Sequence, residues 1–486
     1  MMTTVRPLVR RSFRRLAVIA TIVLIPAAAH AIWDQVEASR LARRIQHLRD
    51  RGEPVNLGAE QRPLATDEER QASRLYYAAG MLAADSFAAW KPDASGAISN
   101  PRKALADALV ALHDLPSAQA TFDPRFARVR AVVQRADPAL ALLDRATPLR
   151  FERFSPERAA YSYQTSDLLN LGAVNGVRTD LFSLQGDARN GAQALLASVR
   201  LARTHDRFSQ SLSAGTFGSL RLLLERTQPD EDALLALQRA YEELADDDGA
   251  ATNLVTWRAR MLEELWPTTG RPYFAQRLGY RPWYSRQSAN RSLTFVILRP
   301  WLTHRFVSML DEFDAAIAIA REGWPEKLRD RQALTPGVPI NLETRPPAPR
   351  SWIDRMQMLT GVPVAIKPGT ALLGAMLLRA GNAVARNRVT VAVLAIERWR
   401  RLHAGALPRD LDVLVPRYVQ DVPRDPFTGV KLKMVTNADA YVVYSVGVDG
   451  KDDHGDIGEW QPDVRWSSPT TPGRDVGMRV PLTPRR

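Results

Sequence analysis

Cysteine is absent from the 486-residue chain, which excludes disulfides, thiol nucleophiles and Cys-based zinc sites. Lysine is scarce: seven of the 66 basic side chains are Lys and 59 are Arg, so the formal charge of +13 is an arginine excess. Such an excess suits anionic lipid, nucleic acid or acidic polymer, and it equally suits an arginine-favouring genome. Because five of these Arg sit in the first fifteen residues, beside an apolar segment, no nucleic-acid partner is expected. The seven His, at 30, 47, 113, 205, 304, 403 and 454, include no pair four apart, which excludes the helical zinc-peptidase motif. No Gly-x-Ser-x-Gly elbow occurs, and Lys367-Pro368-Gly369-Thr370 lacks the glycine-rich lead of a phosphate loop. Carboxylate pairs such as Glu263/Glu264 and Asp311/Asp314 fall where helices are expected, and solvated faces are commoner there than acid/base dyads. No catalytic residue emerges, and a non-enzyme is expected.

Long hydrophobic runs are equally scarce, and the one that stands out has a distinctive setting. Arg6, Arg10, Arg11, Arg14 and Arg15 precede eighteen uncharged residues, Leu16 to Trp33. A span needs roughly 17–25 apolar residues, and basic residues stay on the cytoplasmic side, so Asp34 and everything after it are expected outside. Ala29-His30-Ala31 has the form of a signal-peptidase site and Arg10-Arg11-Ser12-Phe13 resembles a twin-arginine signal, so export with cleavage is the alternative to a single-pass inner-membrane anchor.

Beyond the anchor, apolar spacing predicts helices at about 34–51, 67–90, 101–115, 123–145 and 301–322, and a largely helical stretch over 158–245 in which Gly186-Asp187 marks the turn of a helical hairpin. Between Arg271 and Arg305, Tyr273, Trp283, Tyr284 and Phe295 interleave with Arg277, Arg281 and Arg286. Such a stretch fits either a core with snorkelling Arg or a groove for an anionic ligand. Residues 335–350 are a Pro-rich linker. From about Gly381 an amphipathic helix (Ala392, Ala395, Ile396, Trp399, Leu402) leads into β-prone runs at Lys431–Val435 and Tyr441–Ser445.

Five ordered fragments of this last part resemble the C-terminal half of type II secretion major pseudopilins. They are Ala395-Ile396-Glu397-Arg398-Trp399, Gly405 with Pro408, Val422-Pro423-Arg424-Asp425-Pro426-Phe427-Thr428-Gly429, Tyr444 through Gly450, and Asp456 through Trp460. The same ending resembles that of uncharacterised bacterial membrane proteins with helical middles. The resemblance implies a calcium-binding loop, with Asp449 and Asp456 at the acidic ligand positions. Read from the residues, Asp449, Asp452, Asp453 and Asp456 lie within eight positions with Gly450 and Gly455 among them, a density of hard oxygens that calcium can use. The EF-hand spacing is not met, since His454 and Trp460 stand where Gly and Glu would be needed. A prepilin-peptidase start is missing, and some 350 residues separate the apolar run from the module, so filament assembly is not implied.

The expected fold is mainly α, an irregular helical bundle or array, with a small α+β C-terminal domain and an N-terminal transmembrane helix. The expected division is a basic segment and anchor or signal (1–33), a periplasmic helical domain (34–334), a linker and helix (335–380), the pseudopilin-like module (381–460) and a disordered Pro/Arg-rich tail (461–486). The function these features suggest is that of a bacterial envelope protein of structural or interaction type, in contact with the inner membrane and with other envelope or secretion-system proteins, and able to take calcium. The alternative is an envelope hydrolase or transferase acting on cell-wall or glycan substrate through 271–305.

Overall fold

Alanine, leucine and arginine favour helix, and helices account for most of the chain. The computed structural model describes residues 5–55, 66–83, 86, 101–151, 161–204, 209–246, 249–265, 293–334, 370–457 and 474–484; over 5–20, 22, 101–104, 161–166, 209–214, 246, 260, 263–265, 293–298, 302, 331–334 and 370–372 it describes the helical backbone only. Fourteen α-helices and one three-stranded antiparallel sheet occur among these residues. The Arg/aromatic stretch up to 292 and the Pro-rich linker lie outside them. The chain divides into two compact units.

The first unit holds α1 (Val5–Asp50), most of α11 (Ala250–Leu265) and most of α12 (Leu293–Ala320). Helix α12 buries Phe306, Met309, Leu310 and Phe313, the i, i+3, i+4, i+7 stripe of a core-facing helix, and Trp257 of α11 meets Phe313 edge to face at 5.4 Å. On α1, Leu41 and Leu48 are buried. Polar contacts run along α1 and α12: ion pairs of Asp34 with Arg299 at 3.1 Å and of Arg44 with Asp311 at 2.9 Å and Asp314 at 2.7 Å, and between them a hydrogen bond of Glu37 with His304 at 3.3 Å. Arg258 of α11 is 1% exposed and joins Asp314 to Glu53, each of which also takes Arg51 at 3.1 Å. Among the described residues no helix is long and apolar enough to cross a membrane. Of the apolar run, Leu16 to Ala20 and Ile22 lie outside the residues whose side chains are described.

The second unit begins with α2 (Asp67–Ala83), α3 (Pro101–His113), α4 (Ser117–Phe122), α5 (Pro124–Arg135) and α6 (Asp137–Ala146). It continues with α7 (Tyr161–Leu184), α8 (Ala188–Arg203), α9 (Ser209–Arg226) and α10 (Glu231–Asp246). Helices α7 and α8 form the expected hairpin: Gly186 takes φ +75°, a conformation open to glycine, and the Asp187 carboxylate caps α8 by accepting from the Asn190 N–H at 3.1 Å. Buried Asn175 clamps the pair, its amide donating to the Ala194 carbonyl and to Ser198 Oγ, each at 2.7 Å. Helix α9 packs on both, and α8 packs on α10.

After α13 (Glu326–Leu334) comes α14 (Thr370–Leu402). From Val389 to Ile396 every residue of α14 is buried, the pattern of a helix enclosed on all sides. Its Arg398 reaches α10, pairing with Glu231 at 2.7 Å and donating to Gln238 at 3.0 Å. Its Glu397 accepts from the Tyr441 hydroxyl of the sheet at 2.6 Å. One hydrophobic core therefore runs from α2 through α7–α10 into α14 and the sheet, continuous across the boundary at 381.

The sheet has the order β1 (Lys433–Thr436), β2 (Ala440–Ser445), β3 (Val476–Pro481), with Thr436 opposite Tyr441 and Ser445 opposite Val476. Both strands expected from sequence are present, and β3 corrects the expectation of a disordered tail over its own length. Val476, Met478 and Val480 are buried while Arg479 is exposed, and β2, buried at all six positions, needs a hydrogen-bonding neighbour on each edge. Residues 461–473 lie outside the described residues.

Candidate functional site: the acidic loop of the C-terminal module

The β2–β3 connection carries the four aspartates singled out by sequence. Its start is braced by Asp425, a buried side chain that accepts from the Phe427 N–H at 2.7 Å and the Val446 N–H at 2.8 Å. The chain then turns at Gly447, Gly450 and Gly455, all at positive φ. Where the loop returns past β3, Gly477 leaves no room: a Cβ there would stand 2.6 Å from the Val443 carbonyl oxygen and 2.7 Å from Ile457 Cγ2.

Asp475, the residue preceding β3, fastens the loop. It is buried, accepts from the Gly455 N–H at 2.7 Å and the Asp453 N–H at 3.3 Å, and donates its own N–H to the Asp456 carbonyl at 3.1 Å. Burial raises its carboxyl pKa above the usual carboxylate value, and the neighbouring Asp453 and Asp452 charges raise it further, against the lowering pull of the two backbone donors.

The four sequence-selected aspartates separate into different roles. Asp452 is ion-paired with Lys433 and accepts from the Tyr444 hydroxyl at 3.1 Å and the His454 N–H at 3.0 Å; the Lys433 ammonium is the main reason its pKa is held down to about 2. In turn, burial and the Asp452 carboxylate push the Tyr444 phenol above its ordinary value. Asp453 keeps Oδ2 buried with no hydrogen-bond partner among the described residues. Asp449 accepts from the Lys451 N–H within its own turn at 3.1 Å, and Asp456 faces Arg474 at 3.5 Å. The structure thus brings Asp452 and Asp453 to Asp475 and turns Asp449 and Asp456 to other partners. Among the described residues no group of three or more His, Cys, Asp or Glu side chains could hold a metal ion.

Sequence reasoning missed Asp475, Lys433 and Asp425. Asp425 lies within a quoted pseudopilin-like fragment, but nothing local marks it as buried. The signal for Asp475 is an acid directly before an alternating run, Val476, Met478, Val480. The Arg/aromatic stretch proposed for a glycan or anionic ligand lies outside the described residues up to 292. No family model, curated protein or solved structure matches the chain.

Proposed function

We propose that the chain is a bacterial envelope protein of structural or interaction type, anchored in the inner membrane by α1, with its helical body and pseudopilin-like module in the periplasm. The observation that carries this reading is the surface of α1 just before Asp34. Val23, Leu24, Ile25 and Ile32 are about 60% exposed, at 59, 64, 62 and 64%. Three consecutive residues at about 100° per step cover more than half the circumference of a helix. A helix apolar around its circumference is stable in a protein core or in lipid, and no core of the described residues surrounds these side chains. The five Arg before the run give the orientation.

Calcium enters as a narrower proposal than the four aspartates suggested. Asp452 is already neutralised by Lys433. The residues that favour a cation are Asp453, with its buried oxygen unpartnered among the described residues, and Asp475, whose carboxyl sits among like charges. Bound there, calcium would supply positive charge and rigidity to the loop, and the loop would offer envelope or secretion-system proteins a fixed surface.

The test is a fusion of alkaline phosphatase to the C-terminus of the full chain, followed by alkaline carbonate washing of the membranes. Active reporter retained in the washed membranes is the expected result. An inactive reporter removes the periplasmic placement, and release of active reporter into the wash replaces the anchor with a cleaved signal.

A further inference from the structure

The polar contacts of the first unit fix how two helices run. Proceeding from Asp34 to Glu37 to Arg44 on α1, the partners on α12 advance from Arg299 to His304 to Asp311 and Asp314. The helices are therefore side by side and parallel, with Asp34 level with Arg299. Both are charge-free on the same side of that level. On α1 no charged residue occurs from Leu16 to Trp33, and on α12 none occurs from Leu293 to Leu298, which reads Leu-Thr-Phe-Val-Ile-Leu. Each helix thus takes up its first charge after an apolar run at the Asp34–Arg299 pair.

From this coincidence we infer that the first turns of α12 enter the same lipid layer as α1, and that the Asp34–Arg299 pair marks the membrane–water boundary. The inference rests on the membrane reading of α1 given above. At 1.5 Å per residue, six residues carry α12 about 9 Å past the pair. That matches the roughly 5–10 Å to which apolar faces sink at a bilayer surface and is far short of a span, which takes about 20 residues. Trp33 on α1 and Trp301 on α12 flank the pair in sequence, and aromatic side chains of this kind gather at the headgroup level. Arg299 is 48% exposed while paired to Asp34, free to present part of its guanidinium to lipid phosphate. The occupant of this surface is phospholipid, because the charge-free turns of α12 run level with the charge-free end of α1, where Ile32 is 64% exposed.

The absence of Cys makes the test direct. Phe295→Cys, Ile297→Cys, Leu24→Cys and Ala315→Cys would each carry an environment-sensitive fluorophore, in the full chain reconstituted into vesicles of phosphatidylethanolamine and phosphatidylglycerol with brominated acyl chains. Labels at 24, 295 and 297 should lose emission to the bromines, and the label at 315 should keep it. Quenching at 24 without quenching at 295 and 297 would overturn the inference and leave the anchor standing. No quenching at 24 would overturn both. Quenching at 315 as well would remove the boundary from the Asp34–Arg299 pair.

Discussion

Asp453 holds one carboxylate oxygen out of water with no donor facing it among the described residues, two positions from Gly455, whose N–H is taken by Asp475. A buried oxygen of this kind costs about 1–3 kcal/mol when unsatisfied, and more when charged, so the loop carries a local penalty that a cation would relieve. Ligand that binds only the folded state adds stability by mass action, about 2.7 kcal/mol at a hundredfold excess over Kd. Calcium should accordingly raise the melting temperature of the full chain, and Asp453→Asn, which keeps the shape and removes the charge, should abolish the rise. Differential scanning calorimetry with and without chelator reads both, and a melting temperature indifferent to calcium retires the site. Asp452→Asn should leave much of the calcium response in place, because Asp452 is already paired with Lys433.

At the scale of elements, the first unit depends on a charge network more than on a wide apolar seam. Arg258 is almost wholly buried and spans Glu53 and Asp314, whereas Arg51 touches the same two carboxylates from a 38% exposed position. Removing one partner of a buried pair costs about 3–5 kcal/mol, while a surface pair contributes about 0–1 kcal/mol. Arg258→Ala should therefore destabilise the first unit severely and Arg51→Ala only slightly, measured by urea unfolding of each variant; equal effects would show the network to be superficial. Little of this was legible in the sequence. Arg258 sits in Thr256-Trp257-Arg258-Ala259-Arg260 with nothing to distinguish it from a solvated helix face, and its partners lie 205 positions before it and 56 after it. Local signals were readable: the α7–α8 hairpin from Gly186-Asp187, α14 from its apolar spacing, and β1 and β2 from their β-branched and aromatic runs. Strand β3 was hidden because Pro and Arg on either side outweigh a six-residue alternation. Asp475 was hidden with it, so the acidic loop was read as four neighbouring aspartates when its anchor lies beyond the next stretch of chain.

For the molecule as a whole, the proposed orientation rests on a narrow margin of charge. Arg6, Arg10, Arg11, Arg14 and Arg15 precede the apolar run, and Arg40, Arg43, Arg44, Arg49 and Arg51 follow it within eighteen residues of Trp33, so a bare count on the two sides is even. Position breaks the tie. Arg14 and Arg15 abut the run, whereas Asp34 and Glu37 precede the first Arg on the far side, and it is Lys and Arg near the ends of a span that hold a segment in the cytoplasm. Replacing Arg14 and Arg15 with Gln should give a mixed population, and replacing Arg10 and Arg11 as well should leave most of the body inside. Protease added to spheroplasts should digest the body of the parent chain, part of the double variant and little of the quadruple variant. Complete digestion of the quadruple variant would mean that a translocation signal other than charge sets the orientation, since the remaining Arg after the run would then favour the opposite arrangement and be overruled.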